Sequence, residues 1–328
     1  MRLRPAHRRR PVGAPRRGGR RHREGPVTVT VQAGAPAPAA GPIVVGVFEP
    51  GSPEWHAARA DGIGGSEIAA VVGLSPYDSR FSLWHRKKGL IGPIEESEQM
   101  YWGKVDEPGI CQRFAELHPE LHISPAPTYA AADRPWQIAN PDRLVGGTEL
   151  LEAKTSRDDE GWGEQGTDQI PVHYRCQCLW YLDVTGARRC HVAVRIAGCE
   201  YREYVVEYDA DEARILREAG ARFMRDLEQD VRPGIDGHTA TYQAVRELPE
   251  GLDDVDVDIV PALRDRFHAA QDAFWLAEDE LTACKGELLD AIGTGRRAVV
   301  GRERVATRTV RDGRTYQLLP ARTRRTAR

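Results

Sequence analysis

The chain has little of what marks membrane proteins, disulfide-rich proteins or zinc proteins. Its 328 residues contain only six cysteines and no Cys-x-x-Cys pair, so a disulfide framework and a zinc or iron–sulfur site are not predicted. No apolar run approaches the roughly 18 residues that a transmembrane helix needs. We therefore expect a protein that does not span a membrane, with buried free thiols in a reducing compartment.

The first residues of the chain have a positive net charge, whereas the remainder as a whole is acidic. Residues 1–26 carry ten Arg and one Glu, a local charge of +9, whereas the whole chain has a net charge of −3, which leaves −12 on the remainder. An acidic body weakens an electrostatic argument for nucleic-acid binding without excluding a positive cleft. The first forty residues lack apolar periodicity and are predicted to be disordered. A nonspecific DNA-binding tail and an Arg-rich targeting peptide are alternative interpretations of this segment. We favour a disordered tail without a specific function, or a translation start assigned upstream of the real one.

Hydrophobic periodicity and turn signals divide the chain into four regions. The order of elements is helices, mixed strands, a helix, two strands and a helix, which predicts an α/β core. The predicted regions are a disordered basic tail over 1–43, the core over 44–232, a linker over 233–258, and a C-terminal helical arm with a small β-hairpin over 259–328.

A heptad repeat marks the C-terminal region. Apolar residues recur at alternating spacings of four and three from Leu263 to Leu288, and Pro261 stands at the helix start. The small residues Ala270 and Ala277 and the short length favour an antiparallel arm packed on the rest of the chain or on another helix. An intermolecular coiled coil is the alternative.

A glycine-rich step before a short apolar run indicates a helix start. Ser66 follows two glycines and is a suitable N-cap residue, and Gly73 is suited to the C-terminal end of a helix. Together they predict a short helix over 67–72. Helix N-termini attract anions through their free N–H groups and dipole. Arg59 lies upstream, where a loop could return it to the same place. An ordinary capped helix is the alternative interpretation.

The strongest chemical pattern is a Pro-Asp step followed ten residues later by Glu-x-Lys. Residues 136–140 and 150–155 are predicted to be adjacent strands of a hairpin. Strand alternation places Glu152 and Lys154 on one face, and Asp142 follows the end of the first strand. Carboxylates are ligands of Mg²⁺, and an amine orients or deprotonates a water. A salt-bridged pair on an exposed strand is the alternative.

Three further polar groups gain meaning only beside such a site. Glu107 lies near the start of a helical segment, where a lone Glu is by default a solvated charge. Tyr174 and Gln177 are three residues apart on a helix predicted over 171–183, and they share a face. Alone, none of the three decides a function.

Six ordered elements resemble the YqaJ-type viral recombinase family, phage relatives of lambda exonuclease in the PD-(D/E)XK nuclease superfamily. In chain order they are Trp-x3-Arg, Gly-Gly-Ser, Trp-Gly-x3-Glu, Pro-Asp, Glu-x-Lys and Pro-x2-Tyr-x2-Gln, and they cover roughly residues 50–230. The resemblance implies a restriction-endonuclease-like α/β core with a central mixed sheet flanked by helices. It also implies a Mg²⁺- or Mn²⁺-dependent deoxyribonuclease that degrades one strand of linear duplex DNA from the 5′ end.

The resemblance assigns roles by position. It implies two metal ions, with the ligands Asp142, Glu152, Ala153 through its carbonyl oxygen, and Glu107 at the second ion. The implied catalytic groups around the attacking water are Lys154, Gln177, Tyr174 and Glu107. The implied site for the terminal 5′-phosphate consists of Arg59, Ser66 and Arg157. Two positions depart from the pattern, because Asn140 replaces a Ser of lambda exonuclease and Arg157 lies closer to the Lys than expected.

The implied partners are double-stranded DNA ends, further copies of the chain in a ring such as a trimer, and a single-strand annealing protein that receives the 3′ overhang for homologous recombination. The implied location is the cytoplasm of a bacterial host, for a phage or prophage gene. Two other classes remain open. Another PD-(D/E)XK nuclease, an endonuclease or end-processing enzyme, need not keep Arg59 and Ser66. A non-catalytic DNA-binding or assembly protein on the same scaffold would lack a metal ligand.

Overall fold

The computed structural model describes residues 41–48, 51–248, 251 and 253–321. The disordered tail predicted over residues 1–43 lies outside these ranges apart from its last three residues. Within them, no helix combines the length and the apolar character of a membrane span.

The described chain alternates helices and strands up to residue 228 and ends in a long helix and a small sheet. The helices are α1 (Pro53–Ala60), α2 (Gly65–Val71), α3 (Arg80–Lys87), α4 (Glu98–Leu117), α5 (Val172–Thr185), α6 (Ala210–Glu228), α7 (Thr239–Glu247) and α8 (Pro261–Ala291). The strands are β1 (Ile43–Gly46), β2 (Ile63–Gly64), β3 (Ile123–Pro125), β4 (Thr128–Ala131), β5 (Arg134–Ala139), β6 (Arg143–Val145), β7 (Glu149–Ser156), β8 (Arg189–Ile196), β9 (Glu200–Glu207), β10 (Arg297–Val300), β11 (Glu303–Arg311) and β12 (Arg314–Pro320).

A five-stranded mixed sheet, ordered β3-β6-β7-β8-β9, forms the centre of the fold. Strand β7 is antiparallel to β6 and parallel to β8, and α5 makes the crossover between β7 and β8. Leu151 of β7 packs in one cluster with Phe114 of α4, whereas Leu150 packs in the main core with Leu179 of α5. The strand is apolar at consecutive positions because helices cover both faces of the sheet. The predicted α/β core, with a central mixed sheet flanked by helices, is confirmed.

The hairpin predicted between residues 136–140 and 150–155 is wrong. Strand β5 lies in a second sheet, ordered β1-β4-β5-β2, and the antiparallel neighbour of β7 is the short strand β6. Pro141 has no N–H to continue the ladder of β5, so that strand ends at Ala139 and the chain enters the other sheet. Asp142 nevertheless stays near β7, because it directly precedes β6.

The helix predicted over 67–72 begins earlier, at Gly65, and its N-cap is Gly64 rather than Ser66. The carboxylate of Glu67 accepts a hydrogen bond from the Gly64 N–H at 2.7 Å. This contact satisfies a free donor of the helix start, so the cap forms two residues before the serine could provide it.

The cysteines are all free, as predicted, but only four of them are buried. The expectation of buried thiols is wrong for Cys199 and Cys284, which are exposed. Cys199 lies in the turn between β8 and β9, and Cys284 lies on α8, where the described chain provides no cover.

The C-terminal region differs from prediction in three ways. Part of the predicted linker over 233–258 forms α7, whose buried Thr241 donates a hydrogen bond to Ser79 at 2.7 Å. The predicted small hairpin is a three-stranded antiparallel sheet, β10-β11-β12. No residue of α8 is buried by the described chain. Its last turns pack through Leu288 and Leu289 on the sheet β10-β11-β12, and packing of the rest of the helix is not observed among the described residues.

Candidate active site

A cavity of about 330 Å³ collects most of the residues singled out in the sequence. Its polar lining includes Arg59, Ser66, Glu107, Asn140, Asp142, Glu152 and Gln177. These side chains come from α1, α2, α4, α5, β7 and the turn before β6, so the fold brings together groups that are far apart in the chain.

The two predicted metal-binding carboxylates are anchored on β7. The backbone N–H of Ala153 donates to Asp142 Oδ2 at 2.7 Å, which ties the turn before β6 to the middle of β7. Glu152 is only 2% exposed, and its Oε1 accepts hydrogen bonds from Gln177 at 2.5 Å and from Lys154 at 2.6 Å. Its second oxygen, Oε2, is buried and has no hydrogen-bond partner among the described residues.

Lys154 lies between the carboxylates and α5. Its Nζ atom is 2.6 Å from Glu152, 3.1 Å from Gln177 Oε1, and 4.9 Å from the ring centroid of Tyr174. The side chains of Lys154 and Glu152 are 16% and 3% exposed. The two residues share a face and form an ion pair, but this pair is buried, unlike the pair on an exposed strand that the alternative interpretation required.

The electrostatics of the cluster favour a bound cation. Burial raises the pKa of Asp142 well above its usual value, and the charges of Glu152 and Glu107 raise it further. Burial also raises the pKa of Glu152, against the opposing charge of Lys154. Burial alone would lower the pKa of Lys154, but the charges of Glu152 and Asp142 outweigh it and the pKa is raised. One ammonium therefore faces more than one buried carboxylate.

The residues present fit a divalent metal ion with an incomplete protein ligand set. The unpartnered Glu152 Oε2 and the mutually repelling carboxylates are hard oxygen donors of the type that Mg²⁺ and Mn²⁺ prefer. No group of three or more His, Cys, Asp or Glu side chains that could hold a metal is found in the described parts of the chain. Asp142 and Glu152 would thus hold the ion together with a backbone carbonyl or water, and Ala153 adjoins both.

Glu107 lines the cavity, but its carboxylate is already paired. Arg143 Nη1 donates to Glu107 Oε1 at 2.9 Å, and the same nitrogen donates to the carbonyl oxygen of Asp142 at 2.6 Å. Glu107 is close enough to raise the pKa of both other carboxylates. Direct ligation by Glu107 would compete with Arg143, so its role at a second ion stays a prediction.

Arg59 and Ser66 meet at another part of the cavity lining. Arg59 Nη2 donates to Ser66 Oγ at 3.0 Å, and the guanidinium lies over the ring of Trp55 at 4.0 Å. A Cβ at Gly64 would stand 2.4 Å from Arg59 Nη2, so glycine is needed for this close approach. A positive charge and a hydroxyl at the start of α2 form a site suited to a phosphate group.

Residues 54–188 match the model of the YqaJ-like viral recombinase domain, and this range contains all the candidate site residues. This segment is therefore similar to the YqaJ-like viral recombinase domain. The resemblance read from the six sequence elements is therefore confirmed.

The chain is similar to known proteins over about half of its length or more. The "Uncharacterized protein YqaJ" of Bacillus subtilis (strain 168) is 28% identical over 225 residues, which are 65% of this chain and 68% of that protein. An alkaline exonuclease from Laribacter hongkongensis is 20% identical, with a TM-score of 0.45 over 55% of this chain and 94% of that one. A phage-related exonuclease from Haemophilus somnus 129PT is 9% identical, with a TM-score of 0.41 over 52% and 95%.

Four predicted residues of the YqaJ-like domain lie outside the cavity lining, namely Ala153, Lys154, Arg157 and Tyr174. Arg157 is exposed just beyond the end of β7, and its assignment to the phosphate site stays a prediction. Tyr174 contacts Lys154 through its ring face, and no hydroxyl contact with the carboxylates is observed in the described chain. The structure thus places Tyr174 as a support for the ammonium.

Sequence reasoning missed two polar residues of the YqaJ-like domain. Arg143 holds Glu107, and Tyr181 accepts a hydrogen bond from Gln177 Nε2 at 3.0 Å through its hydroxyl oxygen. The four-residue spacing of Gln177 and Tyr181 on α5 could have revealed the second contact, because such residues share a helix face. For Arg143, the sequence signal that could have revealed its role was its position directly after Asp142.

Proposed function

We propose that the chain is a divalent-metal-dependent 5′-to-3′ exonuclease that acts on linear double-stranded DNA and leaves 3′ single-stranded overhangs. The proposal depends on one observation. Asp142 and Glu152 line the same cavity as the pair of Arg59 and Ser66, and Lys154 is hydrogen-bonded to Glu152 beside it. A cutting centre beside a phosphate-binding pair is the arrangement that an enzyme acting at a phosphorylated end requires.

The metal would be Mg²⁺ or Mn²⁺, and we propose two ions. When bound, such ions offset the negative charge of the phosphodiester and lower the pKa of the attacking water. Lys154 is protonated in the metal-free protein because its pKa is raised, so its proposed role is to orient that water and stabilise negative charge. Gln177 fixes both partners, because its amide oxygen accepts from Lys154 and its amide nitrogen donates to Glu152.

Arg59 and Ser66 would hold the terminal 5′-phosphate. A guanidinium forms strong charge-assisted hydrogen bonds with phosphate oxygens. Stacking on Trp55 holds the guanidinium in the cavity and leaves its remaining N–H groups for a ligand. A grip on the chain end explains why the enzyme would start at an end and would not cut internally.

The cutting centre is tested with linear duplex DNA labelled at either 5′ end and incubated with Mg²⁺. Wild-type protein is expected to degrade one strand from each 5′ end. Glu152→Gln and Lys154→Ala should lower the rate by roughly 10²–10⁴-fold, the range for loss of a group that acts on the proton-transfer step. Undiminished digestion by both variants would contradict the site assignment.

The preference for ends is tested separately. Duplex with a 5′-phosphate should be degraded faster than the same duplex with a 5′-hydroxyl, and Arg59→Ala should remove that difference. Arg157→Ala shows whether Arg157 also contributes to phosphate binding. Covalently closed circular DNA cut as fast as linear DNA would favour the endonuclease alternative.

The wider context is also a proposal. We propose that the enzyme works in the cytoplasm of a bacterial host, as a ring of several copies such as a trimer. The overhang would pass to a single-strand annealing protein for recombination. An acidic body fits a protein that encloses its DNA better than one that depends on surface charge alone.

A further inference from the structure

The longest helix of the described chain has an apolar seam that the described residues leave exposed except at its last residue, Leu288, which packs on the sheet β10-β11-β12. Helix α8 runs over 31 residues, about 46 Å at the rise of an α-helix, and none of its residues is buried. Along one face, Leu263, Phe267, Phe274 and Leu281 are 46%, 58%, 64% and 55% exposed. Apolar residues repeated at heptad spacing pack against another helix when one is available.

The sizes of the seam residues select the direction of that second helix. One heptad position holds large residues and the other holds mostly small ones; in chain order the seam is Leu263, Phe267, Ala270, Phe274, Ala277, Leu281, Cys284 and Leu288. Two parallel copies would stack large on large and small on small, and the small layers would leave voids between the large ones. Antiparallel copies pair one position with the other, so large residues face small ones.

One antiparallel register pairs every seam residue at once. With Phe274 opposite the partner's Ala277, Leu281 falls opposite the partner's Ala270, and Phe267 opposite the partner's Cys284. Leu263 falls opposite the partner's Leu288, which also packs on the small sheet of its own chain. The heptad repeat is therefore symmetric about the point between residues 275 and 276. In this register the two copies of α8 overlap over almost their whole length.

Charge supports the same register on one flank of the seam, whereas on the other flank it brings Arg264 close to the partner's Lys285. Arg266 and Glu287 each stand directly before a large seam residue, at equivalent heptad positions near opposite ends of α8. Antiparallel pairing brings Arg266 of one copy close to Glu287 of the other, twice in each pair of helices. In a parallel pair, Arg266 would instead lie close to the partner's Gln271 and would not meet Glu287.

We propose that α8 pairs antiparallel with α8 of a second copy of this chain, with Phe274 packed against the partner's Ala277. The pair is symmetric about a two-fold axis, so the contact closes after two chains. It joins chains through a segment outside residues 54–188, and it would operate whether or not those residues form a nuclease. The three-stranded sheet β10-β11-β12 of one chain then lies near the first turn of the partner's α8.

The first test compares two leucines of α8 in the full chain. Leu281 lies in the seam and Leu276 lies outside it, and both are exposed in one copy, at 55% and 73%. Light scattering after size-exclusion chromatography should show that Leu281→Glu halves the particle mass, whereas Leu276→Glu keeps the wild-type mass. An unchanged mass for Leu281→Glu, or an equal loss for both variants, would overturn the proposal. Circular dichroism checks that both variants stay folded.

The second test reports direction and register by disulfide formation. Two versions of the full chain, both with Cys199→Ser and Cys284→Ser, carry either Phe274→Cys or Ala277→Cys, and one bears a size tag. Oxidation of the mixture should cross-link tagged to untagged chains. Cross-linking of either version with itself, in place of the mixed product, would show a parallel pair and overturn the antiparallel arrangement.

The third test reverses the charges. Arg266→Glu and Glu287→Arg each create two like-charge contacts, and each should raise the dissociation constant of the pair several-fold at low salt. The double variant Arg266→Glu with Glu287→Arg restores opposite charges and should recover most of the loss. A double variant weaker than both single variants would contradict the register.

Discussion

At the residue scale, we expect the Asp142 carboxylate to lower the free energy of unfolding of the protein when no cation is bound. Its carboxylate is buried beside Glu152 and Glu107, and all these effects raise its pKa. We predict that Asp142→Asn raises the free energy of unfolding of the metal-free protein by on the order of 1 kcal/mol, because a neutral amide removes the repulsion and can still accept from the Ala153 N–H. Thermal unfolding in a chelator measures this change.

The same variant separates stability from function. Added Mg²⁺ should raise the melting temperature of the wild type, because an ion that binds only the folded state stabilises it, and should raise that of Asp142→Asn much less. Nuclease activity should be lost together with that response. A variant that melts below the wild type in chelator, or that Mg²⁺ stabilises as strongly, would contradict a metal site at Asp142.

His173 makes stability depend on pH. Burial, with a smaller contribution from the charge of Lys154, lowers the pKa of His173 to about 4, and its buried Nε2 has no partner among the described residues. An unfolded chain takes up this proton near pH 6.5, so the unfolded state binds more protons between pH 6.5 and pH 4. We predict that the free energy of unfolding falls as pH falls through this window.

Denaturant unfolding at pH 7 and pH 5, in a chelator, measures the pH effect. His173→Gln keeps a polar group and removes the titration, so the loss of stability between the two pH values should be smaller in the variant. Other histidines contribute equally to both proteins and cancel in the difference. An equal loss in the two proteins would assign the pH dependence to other groups.

At the scale of the element, α2 can pack closely against α5 because Gly65 has no side chain. A Cβ at Gly65 would stand 2.3 Å from the ring of Tyr181, which also bonds Gln177 through its hydroxyl. We predict that Gly65→Ala lowers the free energy of unfolding by roughly 1–3 kcal/mol, the usual cost of overpacking a core. Nuclease activity should fall as well, because a displaced Tyr181 disturbs Gln177.

Gly109 of α4 provides the matched control. It is exposed, and a Cβ there would meet nothing within 4 Å. Gly109→Ala should therefore raise the free energy of unfolding by about 0.5–1 kcal/mol through helix propensity. Denaturant unfolding measures the change in the free energy of unfolding for both variants, which we expect to be negative for Gly65→Ala and positive for Gly109→Ala. Destabilisation of similar size at both positions would contradict the packing argument.

The elements also show which parts of the structure were predictable. Glu152 and Lys154 were correctly placed on one face, because alternation along a strand is a local property of the backbone. The partner of β7 was not predicted, because the choice between β5 and β6 depends on which sheet each strand joins after Pro141. Sheet membership is decided by packing between distant segments, which periodicity does not report.

Contacts between polar groups of different elements also could not be predicted from the sequence. The ion pair of Arg143 with Glu107 joins β6 to α4, and no spacing in the chain connects those two residues. The meeting of Arg59 with Ser66 was expected because a loop separates them by only a few residues. The local sequence motifs therefore indicated which residues belong to the candidate site, and the structure shows which of them are in contact.

At the scale of the whole molecule, charge is divided between the first residues and the rest. Residues 1–26 carry +9 and the remainder −12, and all candidate site residues lie within the described chain after residue 52. We predict that a chain lacking residues 1–40 keeps the melting temperature of the full chain. Its nuclease rate on linear duplex DNA at physiological salt should also be unchanged if, as we propose, the cavity holds that DNA.

Salt titration of the same two proteins provides the control. Each Lys or Arg that neutralises a phosphate adds to the slope of log affinity against log salt, by about 0.9 for each phosphate on duplex DNA. If the tail takes no part in binding, the full and shortened chains should give the same slope on a DNA that is not cleaved in chelator. A slope that is steeper by several phosphates in the full chain would instead assign DNA contacts to the ten arginines of residues 1–26.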